Sequence, residues 1–453
     1  MEATATKATF QKYPAYKDSG VEWLGAIPEH WEIYPGLKFI AENKSKNTGM
    51  IRNTVLSLSY GKIRVKQDDE LTGLVPESFE TYQLVNKGDL IFRPTDLQND
   101  KVSLRSAYSE YDGIITNAYL NLKFRQIADS KFFHYFFRAI DNNKIIYGLG
   151  SGLRQNISYL DFRRFLFPFP PLPEQTAIAA FLDDKTAKID RAIAQKEKMI
   201  ALLKERKQII IQNAVTKGLD PNAKMKHSGV EWIGEIPEGW EVKRLRNVFS
   251  FSKGLTITKE NLQDEGIPCI NYGEIHSKYG FEVNPEVHPL KCVSEEYLKD
   301  NSNSLLKRGD FIFADTSEDL EGSGNFTHLN FEGTVFAGYH TIIGRPKSSI
   351  NSRFLAYVLH SLPFRNQVRT RMKGVKVFSI TQSILKDLTC WYPDEKEQKK
   401  IAEYLDIEAA KIDKAIKLQE QQIEKLKELK STLIDSAVTG KLRVPSVQEI
   451  KVS

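Results

Sequence analysis

Residues 19–32 read SGVEWLGAIPEHWE, and residues 228–241 read SGVEWIGEIPEGWE. One motif therefore occurs twice, 209 positions apart. A second pair follows, in which Gly88–Phe92 (GDLIF) matches Gly309–Phe313 (GDFIF) at an offset of 221. An internal repeat of this kind sets the architecture of the whole chain. Because the offset grows along the chain, we infer that one unit was duplicated and that the second copy accepted small insertions.

A third matching pair is a long segment that begins at Glu174-Gln175 and at Glu397-Gln398, offset by 223. In each copy, apolar residues step by 7, 4, 7, 3, 7 and 4. So narrow a stripe with charged flanks predicts a helix with a coiled-coil seam. The predicted seam consists of Leu182, Ile189, Ile193, Ile200, Leu203, Ile210 and Ala214 in copy one and Leu405, Ile412, Ile416, Ile423, Leu426, Leu433 and Ala437 in copy two. Pro173 and Pro393 precede the helices, and Gly218 and Gly440 are placed to cap their C-terminal ends.

The short connection after the first helix predicts how the two helices pair. Only Gly218–His227, with Pro221 and Asn222 as turn formers, separates that helix from the second copy. The second globular domain therefore starts near the end of helix one and finishes at the start of helix two. Antiparallel pairing satisfies both conditions most simply. We expect a rod with one globular domain at each end and a pseudo-two-fold axis between them.

The interiors of the two globular domains differ in sequence. Leu37–Gly88 and Leu245–Gly309 have almost nothing in common, and the same holds for Arg93–Gly113 against Ala314–Gly333. A kept scaffold with changed interior loops is expected of paired domains that share a task and recognise different things. Plain drift of surface loops is the alternative interpretation.

Short apolar runs and one helical run in each globular domain predict an α/β or α+β fold, between which periodicity does not decide. The strand-like runs are Val55–Leu58, Leu90–Phe92, Ile114–Phe124, Phe311–Phe313 and Val335–Gly344. The helical runs are Ser130–Ile140 and Ser352–Leu362. The repeated tryptophans, Trp23 and Trp31 with Trp232 and Trp240, are interpreted as core or docking anchors rather than stacking platforms.

Composition excludes several classes of protein. The 453 residues are 41% hydrophobic and 27% charged, with a net charge of +6, which permits a polyanionic partner. Nothing resembles a membrane span or a secretory signal, and three cysteines give no disulfide framework, so we expect a reduced, cytoplasmic protein. The sequence shows no metal-binding cluster, no phosphate loop and no Asp/Asn-Pro-Pro-Tyr/Phe methyltransferase motif. The glycine-rich stretch Gly148–Gly152 is better explained as a flexible loop than as a nucleotide cradle.

These motifs together resemble a known family. The doubled SGVEW-x-G-x-IPE-x-W motif, the PLPEQ-x-x-I-A-x-FLD entry to helix one, its weaker echo EKEQKKIAEYLD and the AVT endings are similar to the specificity subunit of Type I restriction–modification systems. The resemblance covers nearly the whole chain. It weakens only at Tyr392–Glu395, where the PLPEQ motif is degenerate, while the seam beyond it is intact.

The resemblance implies a division of labour. Residues 1–170 and 228–391 would be target recognition domains, each reading half of a bipartite DNA site. Residues 171–218 and 392–441 would be the central and distal spacer helices, with 219–227 as linker and 442–453 as tail. The helices would dock two methyltransferase subunits, and motor–nuclease subunits would join them. S-adenosylmethionine, ATP and Mg²⁺ would belong to those partners, so that this chain binds no cofactor and no metal and catalyses nothing.

DNA reading uses amide, hydroxyl and guanidinium groups at base edges, with Lys and Arg on phosphates. Residues of these types after short strands in the divergent segments are the candidate DNA contacts, and for each the alternative is an unengaged surface residue. In copy one they are Ser59, Tyr60, Lys62, Arg64, Arg93, Thr95, Gln98, Arg154 and Gln155. In copy two they are Asn271, Tyr272, His276, Asp315, Thr316, Ser317, Lys373 and Lys376.

Two rival classes are weighed against this interpretation. A fused methyltransferase–nuclease would need catalytic motifs that the sequence lacks. A coiled-coil adaptor would not need two divergent domains with polar loops, although an orphan bipartite DNA-binding protein or an adaptor without restriction partners is the remaining alternative.

The seam makes the helices the predicted ruler of half-site spacing. One heptad inserted after Lys196 and another after Gln419 preserve the stripe and lengthen each helix by about 10 Å, at about 1.5 Å per residue. That is close to three base pairs at about 3.4 Å per step, and about 100° of rotation at about 10.5 base pairs per turn. We expect methylation of the native site to be lost, as measured by sequencing modified DNA. Normal methylation by the insertion variant would show that the helices are not the ruler.

Overall fold

The computed structural model describes residues 11–70, 78–100, 104–149, 156–317, 319, 322, 324–347, 350–372 and 378–445. The chain forms two compact units, each holding one globular domain and half of each long helix. Unit 1 comprises Met1–Glu197 and Glu420–Ser453, and unit 2 comprises Lys198–Gln419. No helix in the described ranges combines the length and the apolar character needed to cross a bilayer.

Two helices are far longer than the others, and both correspond to the predicted seam segments. The α-helices are α1 (Ser130–Asn142), α2 (Tyr159–Arg164), α3 (Leu172–Lys217), α4 (Leu245–Val248), α5 (Tyr272–Ser277), α6 (Ser352–His360), α7 (Leu362–Arg371), α8 (Gln382–Asp387) and α9 (Glu395–Val438). α3 starts one residue before Pro173, so this proline lies inside the first turn, where its missing N–H costs no helical hydrogen bond.

Unit 1 is built around a four-stranded antiparallel sheet in the order β4-β11-β8-β9, with short pairs β1-β2, β3-β12, β5-β6 and β7-β10 beside it. The strands are β1 (Tyr16–Asp18), β2 (Ala26–Pro28), β3 (Glu32–Pro35), β4 (Ile40–Glu42), β5 (Leu56–Ser59), β6 (Lys62–Val65), β7 (Gln83–Val85), β8 (Leu90–Phe92), β9 (Ser106–Tyr108), β10 (Gly113–Ile115), β11 (Leu120–Phe124) and β12 (Leu166–Phe169).

Unit 2 is built around a five-stranded sheet in the order β16-β24-β20-β22-β18, in which β18 and β22 pair in parallel. A second sheet, β19-β17-β23, lies in the divergent interior. The strands are β13 (Met225–His227), β14 (Glu235–Pro237), β15 (Glu241–Arg244), β16 (Phe249–Lys253), β17 (Ile267–Ile270), β18 (Phe281–Val283), β19 (Cys292–Val293), β20 (Phe311–Ala314), β21 (Thr316–Ser317), β22 (Phe326–Leu329), β23 (Phe336–Ala337), β24 (Thr341–Pro346), β25 (Phe378–Ser379) and β26 (Thr389–Tyr392).

The main sheets decide the fold class. Nearly all of their strand pairs are antiparallel, and the helices do not alternate with parallel strands, so the globular domains are α+β. Two predicted strands are each broken in two. A turn at Thr116–Tyr119 separates β10 from β11, and Gly338–His340 separates β23 from β24. The left-handed φ of +54° at His340 ends the extended backbone in the second case.

The long helices run antiparallel within each unit. In unit 1, Lys430 Nζ on α9 lies 2.6 Å from Asp190 Oδ1 on α3. In unit 2, Lys207 Nζ on α3 lies 2.7 Å from Asp413 Oδ1 on α9. The offset of 223 maps Asp190 onto Asp413 and Lys207 onto Lys430. Each unit therefore contains the same ion pair with the two helices exchanged, as an internal two-fold repeat requires.

The predicted seam residues face the helix–helix contact. Leu182, Leu405, Ile412, Ile416, Ile423 and Leu433 are buried, and the remaining leucines and isoleucines of the seam are half-buried. The helix ends join the cores of the globular domains. Leu182 and Leu433 belong to the core of unit 1, and Val215 and Leu405 belong to the core of unit 2.

Glycine ends both helices against the repeated tryptophan motif. Gly440 has a φ of +75°, and a Cβ there would lie 2.3 Å from Pro28. Gly218 has a φ of +72°, and a Cβ there would lie 3.5 Å from Trp240. Both positions combine a left-handed backbone with close packing, conditions that only glycine meets without strain.

Of the four repeated tryptophans, Trp31 and Trp240 are core anchors. They are 0% and 2% exposed and meet Phe132 and Phe354 edge-on at centroid distances of 6.5 and 6.2 Å. Trp23 packs partly buried on the core of unit 1, whereas Trp232 is 40% exposed.

A buried glutamine at the start of each long helix docks the globular domain. Gln175 Oε1 accepts from the Asp129 N–H at 2.8 Å, and its Nε2 donates to the Pro170 carbonyl at 2.9 Å. Gln398 makes the equivalent bonds, accepting from the Asn351 N–H at 2.9 Å and donating to the Pro393 carbonyl at 2.9 Å. Asp129 and Asn351 are the N-caps of α1 and α6, so the glutamines tie the caps of the domain helices to the long helices.

One turn further along, a carboxylate repeats the same logic. Asp183 on α3 accepts from Lys131 Nζ at 2.6 Å and from the Tyr135 hydroxyl at 2.8 Å. Asp406 on α9 accepts from Arg353 Nε at 2.8 Å and from the Tyr357 hydroxyl at 2.6 Å. Burial and the neighbouring carboxylate raise the pKa of both tyrosines, so both hydroxyls remain donors.

The glutamine contacts generate a stability prediction. Gln175→Ala removes the partners of two backbone groups, so we expect a loss of roughly 2–4 kcal/mol in the free energy of unfolding. Gln398→Ala should behave alike, and Gln195→Ala, at an exposed position of α3, should have little effect. Denaturant unfolding followed by circular dichroism measures all three. Equal stability of Gln175→Ala and Gln195→Ala would contradict the docking role.

Candidate nucleic-acid interface

Four candidate contacts of domain 1 lie on a single hairpin. Ser59 ends β5, Tyr60 is in the turn, and Lys62 and Arg64 lie on β6. Tyr60 is 94% exposed, Lys62 and Arg64 are exposed, and Ser59 is half-buried. The structure therefore brings together residues that the sequence gave only as separate candidates.

The next three candidates lie in the loop after β8. Thr95 and Gln98 are exposed, and Arg93 Nη1 lies 3.2 Å from Asp100 Oδ2. Leu97, between them, is fully buried and anchors the loop. The loop thus presents a hydroxyl and an amide to solvent from a fixed backbone.

Arg105, which sequence reasoning missed, holds this loop from beneath. Its side chain is fully buried, and it donates to the carbonyls of Thr95 at 2.7 Å and Asp96 at 3.0 Å and to that of Asp100. Nε donates to the Tyr147 hydroxyl at 3.3 Å. Loop carbonyls thus surround the guanidinium and fix the curve of the loop. No local pattern in the sequence marks an arginine in this role.

Four candidates lie outside the described residues: Arg154, Gln155, Lys373 and Lys376. They stay predictions.

In domain 2, the structure gives Asn271 a structural role. It is fully buried, its Nδ2 donates to the Cys269 carbonyl at 3.1 Å, and its backbone N–H donates to Glu274 Oε2 at 3.1 Å in the capping box of α5. In this position Asn271 does not face solvent, so a direct base contact is not supported. Tyr272 and His276 follow on α5, half-buried, with their rings stacked at 5.3 Å.

The three candidates after β20 divide in the same way. Ser317 is 1% exposed, and its hydroxyl donates to the Asp319 carbonyl at 2.7 Å, so it too has a structural role. Thr316 is half-buried in β21. Asp315 is half-buried, and its Oδ1 lies 3.1 Å from His340 Nδ1. Sequence reasoning missed His340, since one histidine in a divergent segment carries no signal of its own.

Asp315 and His340 face a cleft of about 580 Å³ in unit 2. Its polar lining includes Lys253, Asp315, His340, Thr381 and Gln382. These side chains offer ammonium, carboxylate, imidazole, hydroxyl and amide groups, which are the groups that read base edges. Within the described ranges, no group of three or more His, Cys, Asp or Glu residues is arranged to hold a metal ion.

A duplicated scaffold that presents a different polar surface in each copy defines a protein of the recognition class. The family model described as Type I restriction modification DNA specificity domain matches residues 41–200 and 237–428, so the chain belongs to this family. It is a specificity subunit of a type I restriction–modification system, the non-catalytic component that recognises DNA.

Individual relatives agree over nearly the full length. The chain is 23% identical over 427 residues to the Type I restriction enzyme MjaVIII specificity subunit of Methanocaldococcus jannaschii, covering 93% of this chain and 95% of that one. A solved structure from a study of the assembly and conformational transition of the type I R-M system aligns with a TM-score of 0.66 at 18% identity, covering 92% and 99%. The HsdS subunit from Thermoanaerobacter tengcongensis aligns with a TM-score of 0.51 at 17% identity, covering 92% and 98%. The solved structures show the same fold.

The brace under the loop of domain 1 can be tested directly. Arg105→Lys keeps the charge, but a single ammonium cannot reach the same carbonyls, so we expect a loss of about 3 kcal/mol in stability. Amide hydrogen exchange should rise over residues 93–100. Arg125→Lys, at an exposed position, is the control. Unchanged exchange in the loop of the Arg105 variant would disprove the brace.

Proposed function

We propose that this specificity subunit reads a bipartite, asymmetric DNA site, with one half recognised by each globular domain. The supporting observation is the contrast between scaffold and interior. Gln175 and Gln398, and Asp183 and Asp406, make the same docking contacts in both units. The divergent interiors fold differently, as the β5–β6 hairpin in unit 1 and the β19-β17-β23 sheet in unit 2. Two domains held alike and built differently are suited to read two different half-sites.

The candidate readers belong to this proposal. In domain 1 they are the hairpin residues Ser59, Tyr60, Lys62 and Arg64, the loop residues Arg93, Thr95 and Gln98, and Arg154 and Gln155. In domain 2 they are Tyr272, His276, Asp315 and Thr316, with His340 added and with Lys373 and Lys376 retained. Lys and Arg would contact phosphates, while hydroxyl, amide and imidazole groups would contact base edges.

The partners of the helices are the second part of the proposal. Two methyltransferase subunits would dock on the long helices, and motor–nuclease subunits would complete the complex. Apolar side chains that the helix pair leaves exposed in unit 2 support a protein partner, because buried seam residues alone would satisfy the pairing. They are Met199, Leu202, Ile209, Ile407 and Leu418. S-adenosylmethionine, ATP and Mg²⁺ would be bound by the partners, and the complex would act in the cytoplasm, where its DNA is.

Mapping of methylated adenines in cells that carry the chain with its partner subunits tests the proposal. We expect a motif of two unlike half-sites separated by a fixed gap. Exchanging residues 37–170 for those of a relative should change one half-site and leave the other intact, because the docking contacts of domain 2 are untouched. A palindromic or continuous motif, or a change in both half-sites, would contradict the two-reader model.

A further inference from the structure

The β5–β6 hairpin of domain 1, hereafter the ribbon (residues 56–65), has one apolar and one cationic face. Its register pairs Ser57 with Arg64 and Ser59 with Lys62. These four side chains share the outward face, since alternate residues of a strand point to the same side. The inward face carries Leu56, Leu58, Ile63 and Val65, which pack into a small core with Ile91 and Ala107. The ribbon is therefore anchored by one face and offers hydroxyls and cations on the other.

The residue at the tip of the ribbon is unfavourable for the fold. Tyr60 and Gly61 form a two-residue turn with φ values of +49° and +69°. Turns with two positive φ values favour Asn-Gly, and a bulky residue at the first position is strained. Tyr60 is 94% exposed, so packing within the domain offsets little of this strain. A strained, exposed aromatic residue is explained by something that binds at the tip.

The tip is held in place by the domain beneath it. Arg138 Nη2 donates to the Gly61 carbonyl at 3.0 Å. A Cβ at position 61 would lie 2.9 Å from the Leu104 side chain, which shows how closely the turn is seated. Burial lowers the pKa of Arg138, and the Gly61 carbonyl is one of its partners. The ribbon therefore presents Tyr60 in a fixed position, which reduces the ordering cost of binding.

The charge of the ribbon indicates a polyanionic partner. Lys62, Arg64 and Lys66 alternate along β6 and its extension, and all three are exposed. Arg64 lies 3.0 Å from Glu70, but both side chains are at least 40% exposed. An ion pair this exposed contributes little to stability, and a phosphate can replace the carboxylate. Cations in a row beside serine hydroxyls fit a nucleic-acid backbone better than an apolar protein surface.

We propose that the ribbon enters the major groove of DNA, with Tyr60 against base edges and Lys62 and Arg64 directed to bases or phosphates. The major groove admits a two-stranded ribbon of this kind. The proposal rests on the DNA-reading function proposed above and assigns one half-site to one element. The corresponding segment of domain 2 pairs β17 with β19 and β23, so the second half-site is read by a different element.

Opposite effects on folding and on binding test the role of Tyr60. Tyr60→Asn places the preferred residue in the turn, so the melting temperature should stay level or rise. Affinity of the full-length chain in its methyltransferase complex for a fluorescent duplex carrying the mapped motif should fall roughly tenfold, the loss typical of one base contact. Tyr60→Phe should retain binding. A merely structural tyrosine would instead lower the melting temperature when replaced.

The cations and the groove have their own readouts. Lys62→Ala should reduce the slope of log affinity against log salt by about 1, whereas Lys17→Ala, on β1 of the repeated scaffold, should leave it unchanged. Dimethyl sulfate, which reports guanine N7 in the major groove, should show protection in the half-site that the exchange of residues 37–170 alters. That protection should weaken in Tyr60→Asn.

The outcomes separate the two proposals. If Tyr60→Asn binds the motif as tightly as wild type, the ribbon is not a reader, and the two-domain function still stands. If Tyr60→Asn instead loses assembly with the methyltransferase subunits while assembled complexes bind DNA normally, the tip contacts protein and the inference is overturned. If wild type shows no preference for any motif, the proposed function itself fails, and the inference fails with it.

Discussion

A helix start that is buried against another element must find partners for its unpaired backbone groups, and this requirement shapes the whole scaffold. Gln175 and Gln398 meet it with one side chain each, by bonding a cap of the domain helix and a carbonyl of the chain entering the long helix. Because the amide is planar and both its ends are used, the angle between the two helices has little freedom. Everything the domain presents to a ligand inherits its position from that joint.

The joint uses none of the residues in the divergent interior. Its members lie in α1, α6 and the first turns of α3 and α9, with Asp183 and Asp406 adding a second fixed point. The interior can therefore change its strands without changing how the domain is held. Unit 1 places a ribbon there, and unit 2 places a mixed parallel and antiparallel sheet. Conserved mounting and variable content are thus properties of separate residues.

Much of this architecture could be predicted from the sequence, because it rests on local periodicity. The seam steps, the capping glycines at 218 and 440 and the doubled tryptophan motif all act through neighbours along the chain or along one helix. What could not be predicted depends on distant contacts. The burial of Asn271 follows from its place between β17 and α5, the role of Arg105 from three carbonyls of another loop, and the breaks at Thr116–Tyr119 and Gly338–His340 from turns that apolar composition hides.

Unit 1 is discontinuous in the chain, and this bears on the order in which the protein is completed during synthesis. Its core contains Trp31 and Phe132 but also Leu433, Val438 and Leu442, and the Arg443 N–H bonds the Gln11 carbonyl at 2.9 Å. Unit 2 needs only residues 198–419. As the ribosome delivers the chain from its amino end, the domain that emerges first must wait for the last helix turns, while the second can close earlier. The first domain therefore finishes folding only when the entire polypeptide has been made.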